Sequence, residues 1–311
     1  PMSARRQRQM CIRDRVRSAL NGNRRSLART LTNIENGTTT IQQIRSIFTT
    51  DDFRDNSNAW GSLAITGAPG VGKSCLIDKL LKIWASQGNR VALLAIDPSS
   101  PRTGGALLGD RVRITSVDDE NIKNDIYIRS IATRKSSGSV PLIVADMIDF
   151  LHMAEWDRVI IETVGSGQSE VRCAAIADRI VVVEGPARGD GVQAEKAGLL
   201  ELADAVIVNK SDLPGATKHA EELLESFELG LGDTPPVMLT SALNELGVEE
   251  AAGVLLELAD SGRSVRARWR ERLLAYNERK ILESPKLEEI LGSLAVGSIS
   301  IDEAINVLGG E

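Results

Sequence analysis

Gly67-Ala68-Pro69-Gly70-Val71-Gly72-Lys73-Ser74 stands between a short apolar run, Ser62 to Thr66, and an amphipathic run, Ser74 to Gln87. The octapeptide fills every fixed position of the pattern G-x-x-x-x-G-K-[ST], and its flanks put it where a strand turns into a helix. Glycines at 67, 70 and 72 let the backbone take positive φ and aim several N–H groups at one anion. The helix that follows adds the positive end of its dipole. In this pattern Lys73 reaches the β- and γ-phosphates of a nucleoside triphosphate and the Ser74 hydroxyl holds a Mg²⁺ ion. Gly67, Gly70, Val71, Gly72, Lys73, Ser74 and the adjacent Cys75 are therefore the first candidate nucleotide contacts.

From Trp60 onward, apolar runs alternate with helical patterns. Val91 to Ile96 ends at Asp97, Arg158 to Glu162 ends on its own acid, and Ile180 to Val183, Ala205 to Val208 and Val237 to Thr240 follow. Continuous apolar strands of this kind are buried on both faces, which predicts a mostly parallel sheet with crossover helices. Ligands of such sheets lie at the carboxyl ends of the strands, where these polar residues fall. Upstream, Asn23 caps a helix through Leu27, Leu31 and Ile34 that stops at Asn36-Gly37, and a second helix carries Ile41, Ile44 and Ile47. Asp51 to Asn58 reads as a linker.

Downstream, Val248 to Leu258 is helical, and Arg263 to Lys280 is an Arg-rich helix with Val265, Trp269, Leu273 and Tyr276 as its apolar stripe. Such a helix normally turns its charged face to solvent, and the stripe suits helix packing or a dimer interface. Two more helices, Pro285 to Leu294 and Ile301 to Leu308, end the chain. The expected fold is an α/β P-loop nucleoside triphosphatase with a mostly parallel central sheet flanked by helices. Its divisions are an N-terminal helical segment at 17–58, a nucleotide domain at 59–260 and a helical arm at 261–311. Residues 1–16, which open on Pro1 and carry Met10-Cys11-Ile12-Arg13-Asp14-Arg15, are set aside as an extension outside the fold.

With 311 residues, 42% hydrophobic and 26% charged, the chain is ample for a buried core and of ordinary globular composition. A net charge of −6 and 3% aromatics argue against nucleic acid and anionic membrane surfaces as partners. No run approaches the ~18 apolar residues of a membrane span. Cys11, Cys75 and Cys173 form no C-x-x-C pair, and with only His152 and His219 beside them they make no metal cluster. Reduced thiols predict a cytoplasmic protein, although an Arg-rich start also suits import into an organelle matrix.

Asn209-Lys210-Ser211-Asp212, at the end of the run Ala205 to Val208, matches the guanine motif N-K-x-D. A carboxylate at Asp212 can accept from both N1–H and the exocyclic amine of guanine, whereas adenine offers an unprotonated N1 there. A buried carboxylate left unpaired rejects adenine strongly. Thr240-Ser241-Ala242, at the next strand end, is the matching S-A element, with a backbone N–H at Ser241-Ala242 for guanine O6. Glu162-Thr163-Val164-Gly165 lies where many nucleoside triphosphatases carry D-x-x-G, an acid for metal-bound water and a Gly165 N–H that senses the γ-phosphate. Asp97-Pro98-Ser99-Ser100, Gly104-Gly105 and Gly109-Asp110 add two carboxylates. Mg²⁺ takes few direct protein ligands and keeps several waters, so Asp97, Asp110 and Glu162 divide the metal and water-activating roles.

Those stretches, with Gly167-Gln168-Ser169-Glu170 and Glu201-Leu202-Ala203-Asp204, closely resemble the MeaB/ArgK-type G proteins, the methylmalonyl-CoA mutase-associated GTPases. The resemblance runs from about Arg24 to the C-terminus. It implies a GTPase that uses GTP/GDP and Mg²⁺, dimerises through its C-terminal helices, and serves as chaperone of an adenosylcobalamin-dependent acyl-CoA mutase, gating cofactor loading. It implies that Lys73, Asp97, Asp110 and Glu162 are the catalytic and metal-site positions, and Asn209 and Asp212 the guanine site. Ser130 to Ser139, Arg188 to Lys196 and Ser166 depart from the family pattern, in segments that could face a partner. The alternatives are an ATP-driven component of basic amino-acid transport and a metal-insertion GTPase. The scarcity of histidines speaks against the latter. No arginine finger is recognisable in cis, so slow intrinsic hydrolysis is expected.

Overall fold

A computed structural model describes residues 4–48, 60–98, 114–133, 140–163, 172, 174, 176–186, 200–229, 234–259, 261–262, 265–282 and 284–309. Seven strands form one sheet: β1 (Ser62–Thr66), β2 (Val91–Pro98), β3 (Ile126–Thr133), β4 (Arg158–Thr163), β5 (Arg179–Glu184), β6 (Ala205–Asn209) and β7 (Val237–Thr240). Their order is β3-β2-β4-β1-β5-β6-β7, and every pairing is parallel. All carboxyl ends therefore point to one edge. β1 and β4 are buried at every position, as their unbroken apolar runs require.

β3 is the strand that apolar runs alone do not reveal. Arg129 and Ser130 interrupt it, because it is an edge strand whose outer face is covered by polar contacts. Arg129 pairs with Glu35 and donates to Ala28 O and the Thr32 hydroxyl, all on α2 (Arg24–Glu35). Asn23 caps that helix by accepting from Ser26 N–H. Upstream, α1 (Ala4–Leu20) begins inside the stretch set aside at the N-terminus, and Val16 and Ala19 of it are buried. Downstream, α3 (Ile41–Ile47) opens with a capping box between Thr40 and Gln43.

Helices cover both faces of the sheet. On one, α1, α2 and α3 pack with α5 (Val140–Met153) and α6 (Ala216–Glu228) into a single apolar cluster containing Leu27, Leu31, Ile44, Phe150 and Val159. The N-terminal helices thus share the core of the nucleotide domain. On the other face lie α4 (Lys73–Ser86) and α7 (Val248–Leu256). Trp84 donates to Ala252 O at 3.0 Å and Trp60 to Leu255 O at 2.8 Å, and the two rings meet edge to face at 5.9 Å. The stretch Asp51 to Asn58 lies outside the described residues.

The C-terminal arm is α8 (Val265–Leu282), α9 (Leu287–Ala295) and α10 (Ile301–Gly309), the last two closing a small cluster of Ile290, Ala304 and Leu308. The expected orientation of α8 is reversed. Its charged face points inward: Arg268 pairs with Asp178 at 2.9 Å, Glu271 and Glu278 with Arg172 at 2.8 and 3.0 Å, and Arg279 with Asp146 at 3.5 Å. Burial pushes the Asp146 carboxyl up to about 6 against the pull of Arg279. Trp269, Leu273 and Tyr276 are outside, 58%, 64% and 60% exposed. The segment α8 packs against is itself rich in charge, so it recruits the polar stripe.

Leu31 is fully buried within the shared cluster. Leu31→Ala should destabilise the whole protein by about 2–5 kcal/mol in denaturant unfolding followed by fluorescence. A change below ~0.5 kcal/mol would mean that α2 stands off the core.

Candidate nucleotide site

β1 delivers the chain to the carboxyl edge of the sheet, and the loop Gly67 to Gly72 turns it into α4. Gly67 has φ 142, and a Cβ there would sit 2.1 Å from Val183 O, so the loop can lie against β5 only without a side chain. Gly72 is the N-cap of α4 with φ 97, and a Cβ on it would come within 2.5 Å of Asn209 Nδ2. Lys73, the first residue of α4 and 6% exposed, donates from Nζ to Gly67 O at 2.7 Å and Ala68 O at 3.0 Å. Its ammonium is thereby held across the loop, at the positive end of the helix, a place suited to phosphate oxygens.

Ser74 donates from its hydroxyl to Glu162 Oε1 at 2.7 Å. Glu162 is fully buried in β4, in register with Ile65 of β1 and Ala95 of β2. This pair, a helix-start hydroxyl and a buried carboxylate, is an all-oxygen donor set that fits Mg²⁺ with waters completing its shell. Among the described residues no cluster of three His, Cys, Asp or Glu competes for a softer metal. Beside it, Thr163 and Thr66 join through their hydroxyls at 2.8 Å. Of Asp97 only the strand backbone is described, and Asp110, Gly165 and Gln168 lie outside the described residues.

The guanine motif closes on the same loop. Asn209, 2% exposed at the end of β6, donates from Nδ2 to Val71 O at 2.8 Å. Its Oδ1 accepts from the Thr240 hydroxyl at 3.1 Å and from Ala242 N–H at 3.0 Å. Lys210, with φ 62, donates from Nζ to Gly70 O at 2.7 Å. Ser241 donates its hydroxyl to Asp212 Oδ1 at 2.5 Å, which aims that carboxylate, and Ser211 N–H donates to Thr240 O at 2.9 Å. The Ala242 N–H is thus donated to Asn209, and the Asp212 carboxylate lies exposed beside it with Oδ1 engaged by Ser241. The Cys75 thiol stands 3.8 Å from Ala242 O, which puts it between the two loops.

Thr240, named with Ser241 and Ala242 in the S-A element, adds its hydroxyl to the Asn209 set. Asp78 of α4, which consecutive sequence does not single out, is 8% exposed and accepts from the Thr115 hydroxyl and Ser116 N–H beyond its own helix.

A family model described as "Methylmalonyl Co-A mutase-associated GTPase MeaB" matches residues 27–283. A protein of Pyrococcus abyssi (strain GE5 / Orsay) named as a GTPase is 41% identical over 236 residues, 74% of this chain and 70% of its own length. The fused isobutyryl-CoA mutase of Cupriavidus metallidurans is 35% identical over 198 residues, 63% of this chain and 17% of that protein. The crystal structure of a LAO/AO transport system kinase aligns with a TM-score of 0.61 at 20% identity, covering 96% of each chain, and so shares the fold.

Asn209→Ala would leave the Thr240 hydroxyl, the Ala242 N–H and Val71 O without their buried partner. Unsatisfied buried groups cost about 1–3 kcal/mol each. GDP affinity measured by calorimetry should fall at least tenfold, and affinity unchanged within twofold would detach Asn209 from the site.

Proposed function

This chain belongs to the methylmalonyl Co-A mutase-associated GTPase MeaB family and hydrolyses GTP, and we propose that it does so as the chaperone of an adenosylcobalamin-dependent acyl-CoA mutase. The observation that carries this reading is the fused isobutyryl-CoA mutase, in which a segment 35% identical to this chain is part of one polypeptide with a mutase. Two functions joined covalently in one protein are brought together here by binding, with hydrolysis gating cofactor loading and protecting the mutase.

In this reading Lys73 and the loop N–H groups bind the β- and γ-phosphates, and Asp212, aimed by Ser241, accepts from the guanine edge. Ser74 and Glu162 hold Mg²⁺, with Asp97 and Asp110 sharing the metal and water-activating roles that the family resemblance assigns them. Bound Mg²⁺ supplies positive charge against the phosphate oxygens. Lys73 neutralises charge that develops on the leaving GDP oxygen, and the burial of this lysine makes that neutralisation stronger than in water. The protein acts as a cytoplasmic homodimer through its C-terminal helices. The support for the dimer is α8, whose Trp269, Leu273 and Tyr276 form an exposed apolar face.

Lys73→Ala should cut Mg²⁺-dependent phosphate release at least a hundredfold, and equal rates would place catalysis elsewhere. Asp212→Asn should lower the preference for GTP over ATP at least tenfold and admit xanthosine triphosphate, because an amide donates to a carbonyl where guanine has an amine. For the partner, immobilised protein loaded with a non-hydrolysable GTP analogue should retain a purified B12-dependent acyl-CoA mutase, and GTP turnover should rise when the mutase is added. No retention and no stimulation with any nucleotide would sink the chaperone reading while leaving the GTPase intact.

A further inference from the structure

Beside the Ser74–Glu162 pair the sheet carries two buried hydroxyls. Thr66, the last residue of β1, and Thr163, the last of β4, are fully buried, and the Thr163 hydroxyl donates to that of Thr66 at 2.8 Å. Strand alternation puts Thr66 on the side of Ala64 and Thr163 on the side of Ile161, in the apolar cluster away from α4, whereas Glu162 points with Ile160 toward α4. In register, Val182 of β5 lies beside Thr66 and Ile96 of β2 beside Thr163. Two valines would fill this space with the same shape, and an apolar pair in place of a buried hydrogen-bonded pair costs little. What the hydroxyls add is direction. The β1–β4 ladder pairs Ser62 to Ile65 with Val159 to Glu162, so this bond is made one residue beyond the last backbone pair.

The bond closes a ring. Thr66 precedes Gly67, whose carbonyl accepts from Lys73 Nζ at 2.7 Å, and Thr163 follows Glu162, whose Oε1 accepts from the Ser74 hydroxyl at 2.7 Å. Lys73 and Ser74 are consecutive at the start of α4, so peptide bonds and hydrogen bonds alternate around the circuit. When phosphate and Mg²⁺ bind, Lys73 and Ser74 divide their bonding between the ring and the ligand. The hydroxyl bridge is the link whose groups have no ligand to meet, and it keeps its geometry whatever the site holds. We propose that Thr66 and Thr163 are positioning residues for GTP hydrolysis: their bond fixes the strand that releases the phosphate loop against the strand that carries Glu162, and so sets the phosphate position against the metal position. A displacement of about 1 Å at such a site costs on the order of 100-fold in rate. The inference rests on the phosphate and metal roles proposed above for Lys73, Ser74 and Glu162.

Steady-state GTP hydrolysis across a range of Mg²⁺ concentrations, with GDP affinity measured in parallel, tests it. Thr163→Val should lower kcat at least tenfold and raise the Mg²⁺ concentration for half-maximal turnover at least threefold, while GDP affinity without Mg²⁺ stays within threefold. Thr163→Ser, which keeps the hydroxyl, should bring kcat back to within threefold of the unaltered protein. Thr66→Val combined with Thr163→Val strands no hydroxyl, so a role in stability alone predicts recovery, whereas positioning predicts turnover as slow as that of Thr163→Val. The proposal is overturned by a kcat within twofold for Thr163→Val, by Thr163→Ser as slow as Thr163→Val, by recovery in the double variant, or by GDP affinity falling by the same factor as kcat. If Thr163→Val does not fold, the double variant carries the same expectation, and a kcat within twofold there overturns it equally. Lys73→Ala separates the two levels: turnover equal to that of the unaltered protein refutes the site and the bridge with it, whereas lost turnover beside a fully active Thr163→Val refutes the bridge alone.

Discussion

Asn209 holds the nucleotide site together. From one buried amide it reaches the phosphate loop through Val71 O, the neighbouring strand through Thr240 and the following loop through Ala242 N–H. The parallel register makes this possible, because Asn209 of β6 lies level with Thr240 of β7, at the edge where β1 releases the loop. Gly72 is a consequence of the same arrangement, since a side chain there would occupy the space of the amide. Lys210 repeats the tie at Gly70 O from a left-handed backbone position. The base-reading motif and the phosphate cradle are in this way one hydrogen-bonded body rather than two adjoining sites.

The parts of this body that sequence discloses are those whose chemistry is consecutive. Gly67 to Ser74 and Asn209 to Asp212 carry their full meaning within a few residues, and Val91 to Ile96 shows a doubly buried strand because burial on both faces leaves an unbroken apolar run. β3 is obscured because Arg129 answers to Glu35 on a helix far away in sequence. Asp78 is obscured for a similar reason, as its partners Thr115 and Ser116 are reached only across the fold. For α8 the periodicity found the apolar stripe correctly and said nothing about which way it faces. The usual inward assignment assumes an apolar neighbour, whereas Asp146, Arg172 and Asp178 offer charge.

Membership of a mutase-associated GTPase family places the chemistry firmly and the client by inference. The candidate phosphate and base residues lie at the strand ends and on α4, within the large packed body of the sheet. The C-terminal arm is attached through ion pairs and carries a separate small cluster of its own.

The inverted attachment of α8 also sets how the arm responds to its medium. Ion pairs bind it to its own core, whereas its outward face is apolar, and salt acts on these in opposite senses. Rising ionic strength screens the first, and excluded anions such as sulfate strengthen burial of the second. A sulfate salt therefore acts on the two faces of α8 with opposite sign, weakening the ion pairs that dock it and raising the cost of leaving Trp269 and Leu273 in water.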